Sequence, residues 1–456
     1  MRHLRDAATL RPMVSALTTR VSVIPVQEAR YVPTICDGNV PLQGPDLRLR
    51  VDLTAARGGD RIAEIGRRIR WAPTGTYEKH LVTGHAGSGK STELYRLAEE
   101  LQRSDNGQSF HVLFFDIKQH LDPSEIQLPD LLIALFAALW QDKLLRVPSL
   151  ATAKQIGKDM LGWAKSLSLD VGTDLAKSIP LLGTLLKNAE LQRRFREKSW
   201  DYTARLIEQL GQLIEEIRHG LVERHEVDDL VIVIDNLEKM LLKDVGQGRT
   251  NHDLLFVEQL PKLETLPVHM VVTFPVSLHA DQVQLRQTYA NALTIQIPMV
   301  RVRTRLEHEE DAVGFAALRE FLACRLDLDR IFAGRDVVDA AIRESGGCVR
   351  DLLRIVSSAV VERGSVPIYA TDVEHAVERH VADLERVLQG RSLLPHLHAI
   401  TRTGSIPGSI TSAERKWLLL NLVVLEYNGE TWYDVHPLAR RTRAYRESGP
   451  PDRPAT

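Results

Sequence analysis

The stretch from Lys79 to Leu97, KHLVTGHAGSGKSTELYRL, constrains this chain more than any other. Leu81, Val82 and Thr83 read as a short buried strand. The turn Gly84-His85-Ala86-Gly87-Ser88-Gly89-Lys90-Ser91 follows, and Thr92 to Leu101 reads as a helix. The pattern is G-x-x-x-x-G-K-[ST] in the strand–loop–helix setting that gives it meaning. Glycines let the backbone wrap a phosphate chain with its N–H groups pointing inward, and the helix N-terminus adds a partial positive charge. Lys90 is placed to reach the β- and γ-phosphates and the Ser91 hydroxyl to ligate Mg²⁺. The run Gly84 to Thr92 is therefore the candidate binding segment for a nucleoside triphosphate.

At 456 residues the chain has room for roughly three domains of ~150 residues. A formal net charge of −2 excludes a polyanion binder by overall charge, so any nucleic-acid surface must be a local patch. Cys36, Cys324 and Cys348 lie far apart with no C-x-x-C pair, which argues against a zinc site or disulfide framework and fits a reducing cytoplasm. The opening MRHLRDAATLRPMV has no continuous apolar run, so no secretory leader is expected. The most apolar later region, Met160 to Leu186, is broken by Lys165, Asp170, Asp174 and Lys177, too interrupted for the ~18 or more apolar residues of a membrane span.

Four regions follow from composition and periodicity. Residues 1–77, with Pro12, Pro25, Pro33, Pro41 and Pro45, read as an extended arm and a lead-in helix near Arg61 to Ile69. Within them the alternation from Leu47 to Leu53 predicts a strand. Residues 78–300 form an α/β core, with strands at Phe110 to Phe115, Leu230 to Ile234, Met270 to Thr273 and Leu293 to Ile297. Apolar strands alternating with helices imply a parallel sheet. An insertion at about 146–225 predicts two or three helices, the last with Leu206, Leu210, Leu213, Ile214, Ile217 and Leu221 on one face. Residues 301–390 read as a helical lid. Residues 391–456 hold a helix at Ser412 to Asn421 and a hairpin turning at Asn428-Gly429.

Asp235 closes the most apolar strand, where a second acidic residue must sit to hold Mg²⁺ opposite Ser91. The next position is Asn236, so either Glu238 activates water or Asn236 only positions it and hydrolysis is slow. Thr273 ends the following strand, placed either to bond water or γ-phosphate, or to satisfy backbone. Arg286 is a candidate for stabilising transition-state charge on a neighbouring subunit's nucleotide, or a solvated arginine. In SGGCVRDLLR (Ser345 to Arg354) the glycines release a helix whose first turn carries Arg350. A cation there opposes the helix dipole, which points it to an anion: a γ-phosphate, Asp351 or another carboxylate. His436 has no companion ligands and reads as structural. Arg440, Arg441, Arg443 and Arg446 form a basic run, either a phosphate-backbone contact or a solvated terminus.

Together, Gly84 to Ser91, Asp235, Thr273 and GGxxRDLLR in a helical lid resemble the AAA+/STAND-like ATPases, an ASCE-type P-loop NTPase fold. The lid is most similar to those of origin-recognition and Cdc6-type initiators. The strings GHAGSGKSTEL and YNGETWYDVHPL also resemble bacterial ATP-binding proteins associated with mobile elements and phage defence. The resemblance covers about residues 78–390, less the insertion, plus the tail. It implies ATP with Mg²⁺, Arg350 as the lid sensor arginine, Arg286 as an arginine finger, a homo-oligomer or partner effector, and a winged-helix-like C-terminal domain. The chain would be a slow ATPase switch regulating a partner or assembly, or else a DNA-binding initiator or transposition-type ATPase. A small-molecule phosphotransferase fits less well, given the lid string and the insertion.

Overall fold

Five runs rich in β-branched and aromatic residues form one sheet: β1 (Lys79–Thr83), β2 (Phe110–Asp116), β3 (Asp229–Asp235), β4 (His269–Thr273) and β5 (Leu293–Gln296). The computed structural model describes residues 17, 21, 23–104, 108–224, 226–279, 285, 287–289, 292–305, 307–427 and 432–448. The strand order is β2-β3-β4-β1-β5, and every pairing is parallel. Leu113 sits beside Ile232, Ile232 beside Met270, and Leu81 beside Val272. Strands of this kind are buried on both faces and need helical crossovers, and Leu230 to Ile234 are wholly buried. The fold class is α/β, built on a five-stranded parallel sheet. Because all strands run one way, Thr83, Asp116, Asp235 and Thr273 end at the same edge, and β4 separates β1 from β3.

The chain divides into two compact units. One, the sheet unit, comprises Arg61–Thr83 and Leu97–Gln296; the other, the lid unit, comprises Met1–Asp60, Gly84–Arg96 and Ile297–Thr456. The sheet unit begins with α1 (Ile62–Trp71); α2 (Lys90–Gln102) follows the glycine-rich turn in the chain. The unit's core also holds α3 (Leu128–Gln141), which is buried at every residue from Leu128 to Trp140. An all-round apolar helix must be covered on all sides. The insertion provides that cover with α4 (Ala151–Ser166), α5 (Leu175–Leu185), α6 (Ala189–Ser199) and α7 (Thr203–Glu223); of these α5, α6 and α7 pack directly on α3. There are four helices where periodicity predicted two or three. The extra breaks are made by caps: Asp174 accepts from the Ala176 N–H and Asn188 from the Leu191 N–H. Arg196 on α6 reaches the buried Asp130 of α3 at 2.8 Å, and also bonds Glu125.

The lid unit holds α8 (Ala312–Ala323), α9 (Arg335–Glu344), α10 (Val349–Arg363) and α11 (Ala370–Leu388), each within a residue of the helical runs that the sequence pattern marks at Val313 to Cys324, Asp336 to Glu344, Val349 to Arg363 and Thr371 to Leu388. Then come α12 (Leu394–Thr403), α13 (Ser412–Leu420), the antiparallel pair β6 (Val424–Tyr427) and β7 (Trp432–Val435), α14 (Pro437–Arg440) and α15 (Arg443–Glu447). The expected Asn428-Gly429 turn lies outside the described residues.

Two expectations about the N-terminal region are corrected. From Val26 to Ala56 it is not an extended arm: Val26, Val32, Ile35, Cys36, Leu42, Leu49, Val51 and Leu53 are buried in one cluster with Leu318, Leu352 and Val356 of the lid helices. Nor is Leu47 to Leu53 a strand. Gly44–Leu49 is a 3₁₀ helix with Pro45 in its first turn. The alternation is real, since Leu49, Val51 and Leu53 are all buried, but among the described residues no neighbouring strand supplies a ladder.

Candidate nucleotide-binding site

In the lid unit the segment Gly84 to Thr92 forms a tight loop running into α2. Gly84, Gly87 and Gly89 have φ of 151°, 84° and 93°, a region costly for any residue with a Cβ. Space excludes one too. A Cβ on Gly84 would lie 2.4 Å from the Ile297 carbonyl oxygen, and one on Gly87 would lie 2.7 Å from Arg350 Cβ and 2.8 Å from Cys348 Sγ. The Ser88 N–H closes the turn on the His85 carbonyl at 3.2 Å. Lys90 opens α2 and donates from Nζ to the Gly84 carbonyl at 2.8 Å. Cys348 Sγ lies 3.8 Å from the Ala86 carbonyl oxygen. Ser91 is half-buried in the first helical turn. Thr92 turns elsewhere: its hydroxyl accepts the Leu42 N–H at 3.1 Å, tying the loop helix to the N-terminal region.

Arg350, second residue of α10, packs over Gly87 and donates its backbone N–H to the Gly87 carbonyl at 3.4 Å. Its Nε is buried without a hydrogen-bond partner. Asp351, one candidate anion for it, is engaged otherwise, 3.3 Å from His436 Nε2 and 3.5 Å from Arg354. Burial works to raise the Asp351 carboxyl, but His436 and Arg350 beside it hold it down to about 2. His436 also caps α14, accepting the Leu438 N–H at 3.1 Å.

Sequence reasoning missed Arg57. It sits at the end of a short helix (Thr54–Arg57), donates to the Ser88 carbonyl, and keeps a buried Nε without a partner. Burial lowers its guanidinium to about 10, against the pull of Glu93. Glu93 is held by Arg50 at 3.0 and 3.1 Å and by Arg96 at 2.8 Å. Only the fold brings Arg50 and Arg57 to the loop, so no local motif announces them. The loop can thus present inward-facing amides and a lysine, with Arg350 and Arg57 beside it: a set suited to a polyphosphate. Cys348 and the glycines are the close-packed backing that this curvature needs.

His85 was expected as one more loop position. Its ring is fully buried and bonded at both nitrogens, Nδ1 to the Leu419 carbonyl at 3.1 Å and Nε2 to the Glu426 N–H at 3.0 Å. Accepting from an N–H fixes Nε2 as unprotonated, so Nδ1 carries the hydrogen. Burial pushes the imidazole down to about 4.

In the sheet unit, Asp235 closes β3 and is buried. Asn236 follows at a φ of 66° and donates Nδ2 to Asp116 Oδ1 at 2.8 Å, while its own Oδ1 is buried and unpartnered. Glu238 is half-buried in the 3₁₀ turn Leu237–Lys239. The Thr273 hydroxyl accepts the Leu237 N–H at 3.2 Å, the backbone-satisfying role, and so braces the turn after Asp235. Asp116, Asp235, Asn236 and Thr273 thus meet at one sheet edge. Arg286 lies outside the described residues.

The tail arginines do not form the free basic patch that their spacing suggested. Arg441 is clamped by Glu344 and Glu374, each at 3.0 Å; Arg440 lies 3.5 Å from Asp434; Arg443 pairs with Glu447 at 2.6 Å. Glu344 on α9 and Glu374 on α11 are distant in sequence from Arg441, whereas Asp434 on β7 and Glu447 on α15 lie six and four residues from their arginines. Arg446 is exposed. Among the described residues, no helix is long and apolar enough to cross a membrane.

No protein-family model matches this sequence, and no curated protein matches it significantly. Solved structures do. A Walker-type ATPase of Pyrococcus abyssi aligns with a TM-score of 0.44 and 13% identity, over 90% of this chain and 99% of that one. The ORC2 protein of Aeropyrum pernix, solved with ADPNP and ADP, aligns with a TM-score of 0.43 and 10% identity over 91% and 96%. The ORC1 protein of the same organism, solved with DNA, gives 0.37 and 14% over 92% and 96%. At such scores and identities none of the three carries an argument about the residues of this chain.

Proposed function

We propose that this chain is an ATP- and Mg²⁺-binding switch of the AAA+/STAND-like kind that hydrolyses slowly and regulates a partner protein or an assembly of its own copies. The observation that carries the reading is the loop itself: three glycines at positive φ, Lys90 at the head of a helix, and Arg350 leaning over Gly87 with an unsatisfied Nε. On this reading Lys90 and the loop amides hold the phosphates, Ser91 and Asp235 hold the metal, and Arg350 reports the γ-phosphate to the helices of residues 301–390. Magnesium would supply charge neutralisation at the β- and γ-oxygens. Slow turnover follows from Asn236, an amide committed to Asp116 and no proton acceptor for water; Glu238 is the nearby carboxylate left for that role. The tail, residues 391–456, reads as winged-helix-like, the surface through which a change at the loop is passed on. Location in the cytoplasm and a role in phage defence complete the reading.

The test is nucleotide turnover measured beside mass photometry, for wild type, Lys90→Ala and Glu238→Gln, with and without duplex DNA. Slow turnover together with ATP-driven assembly, both lost in Lys90→Ala, supports the switch. A monomer that neither assembles nor hydrolyses with ATP overturns it. DNA-stimulated turnover would favour the initiator or transposition-type reading. That reading draws less support because Arg440, Arg441 and Arg443 are already ion-paired within the chain.

A further inference from the structure

The ring of His85 does something the phosphate-loop pattern does not require. A loop of this kind uses backbone amides, a lysine and a hydroxyl; the residue after its first glycine is free in type. Here that position carries an imidazole with no solvent exposure, whose two nitrogens are spent on backbone groups more than three hundred residues away: the Leu419 carbonyl at the end of α13 and the Glu426 N–H in β6. The backbone of the same residue faces the other way. The His85 carbonyl accepts the Ser88 N–H at 3.2 Å and lies 3.4 Å from Lys90 Nζ. One residue therefore has its main chain in the loop and its side chain in the tail.

The surroundings make this a stiff joint. The Tyr427 hydroxyl donates to the Gly346 carbonyl at 2.6 Å, and Met299 N–H to the Glu426 carbonyl at 3.2 Å. Cys348, Leu425, Tyr427 and Trp432 share one apolar cluster. A Cβ on Gly346 would lie 2.9 Å from Leu425 Cδ1. The strand that bonds His85 is thus packed against the same glycine turn that launches Arg350. Loop and hairpin cannot shift independently without breaking buried hydrogen bonds, each costly to leave unmade.

We propose that His85 is a positioning residue that links nucleotide at the phosphate loop to the order of the α13–β6–β7 element. The inference rests on the nucleotide-binding reading above. Linkage is reciprocal: if the hairpin holds the loop in its binding shape, nucleotide must in turn steady the hairpin. His85→Leu keeps the apolar bulk and loses both bonds, whereas His85→Gln keeps an acceptor at the distance of Nε2 for the Glu426 N–H.

The experiment is ATPγS titration by calorimetry with hydrogen exchange of residues 423–427, free and nucleotide-bound, in wild type, His85→Leu, His85→Gln and Tyr427→Phe. In wild type, nucleotide slows exchange of that strand. In His85→Leu, affinity falls roughly fivefold or more and the strand's exchange no longer responds to bound nucleotide; His85→Gln restores the response. Should His85→Leu not fold, Tyr427→Phe decides instead: it weakens binding from a residue outside the loop. Undiminished affinity in both variants, or a wild-type strand indifferent to bound nucleotide, overturns the proposal while leaving nucleotide binding intact. Failure of wild type to bind ATPγS at all removes the underlying reading and the linkage with it.

Discussion

Asp351 shows how a single side chain can carry stability that a site then uses. Burial alone would raise its carboxyl, yet His436 and Arg350 hold it near 2 against an ordinary value of 3.8. A depressed carboxyl stabilises fully above its unfolded value and loses that contribution as pH falls through the folded one. Asp351→Asn is therefore expected to lower unfolding free energy by about 2 kcal/mol at neutral pH. The gap to wild type should close in denaturant titrations as pH drops from 3.8 toward 2. Asn236 makes a different point. Its amide sits 2.8 Å from Asp116, so Asn236→Asp would set two carboxylates face to face. Thermal melts at pH 7 should show a loss of about 1–3 kcal/mol.

At the scale of elements, α3 and α6 depend on one charge pair. Asp130 has no exposure; burial raises its carboxyl to about 6, and Arg196 pulls against that. Removing one partner of such a pair leaves a buried charge uncompensated. Arg196→Met should cost about 3–5 kcal/mol, most of it recovered in the double variant Arg196→Met/Asp130→Leu. A double-mutant cycle in urea checks both numbers. The pair also marks what sequence pattern can and cannot reveal. The loop, β3 and α8 to α11 were readable because each is signalled by residues near one another: glycines at fixed offsets, an unbroken apolar run, helical spacing. The N-terminal region was not, because Leu49, Val51 and Leu53 bury against lid helices rather than pairing as a strand. Arg57 and Arg441 escaped for the same reason. A charge run looks solvated until Glu344 and Glu374 are folded onto it. Arg441→Gln should accordingly lower the melting point, by about 1 kcal/mol in stability, while leaving the salt dependence of any duplex binding unchanged.

For the molecule as a whole, a ligand that binds only the folded chain must raise its melting temperature. ATP at about a hundred times its Kd should add roughly 2.7 kcal/mol, and Lys90→Ala should abolish the shift. Differential scanning fluorimetry with and without Mg²⁺ tests this.

The lid unit is assembled from three separated stretches, with Gly84–Arg96 in the middle. That has a meaning for how the protein comes into being on the ribosome. The phosphate loop is made early, but Cys348, Leu419 and Glu426, which back and anchor it, emerge roughly 260 to 340 residues later. At ~5–20 residues per second that is a delay on the order of tens of seconds. During it the nascent chain owns the nucleotide motif without the scaffold that shapes it. Nucleotide competence should therefore arrive late and all at once, when the tail clears the exit tunnel, and chains cut short before the hairpin should be inert toward ATP.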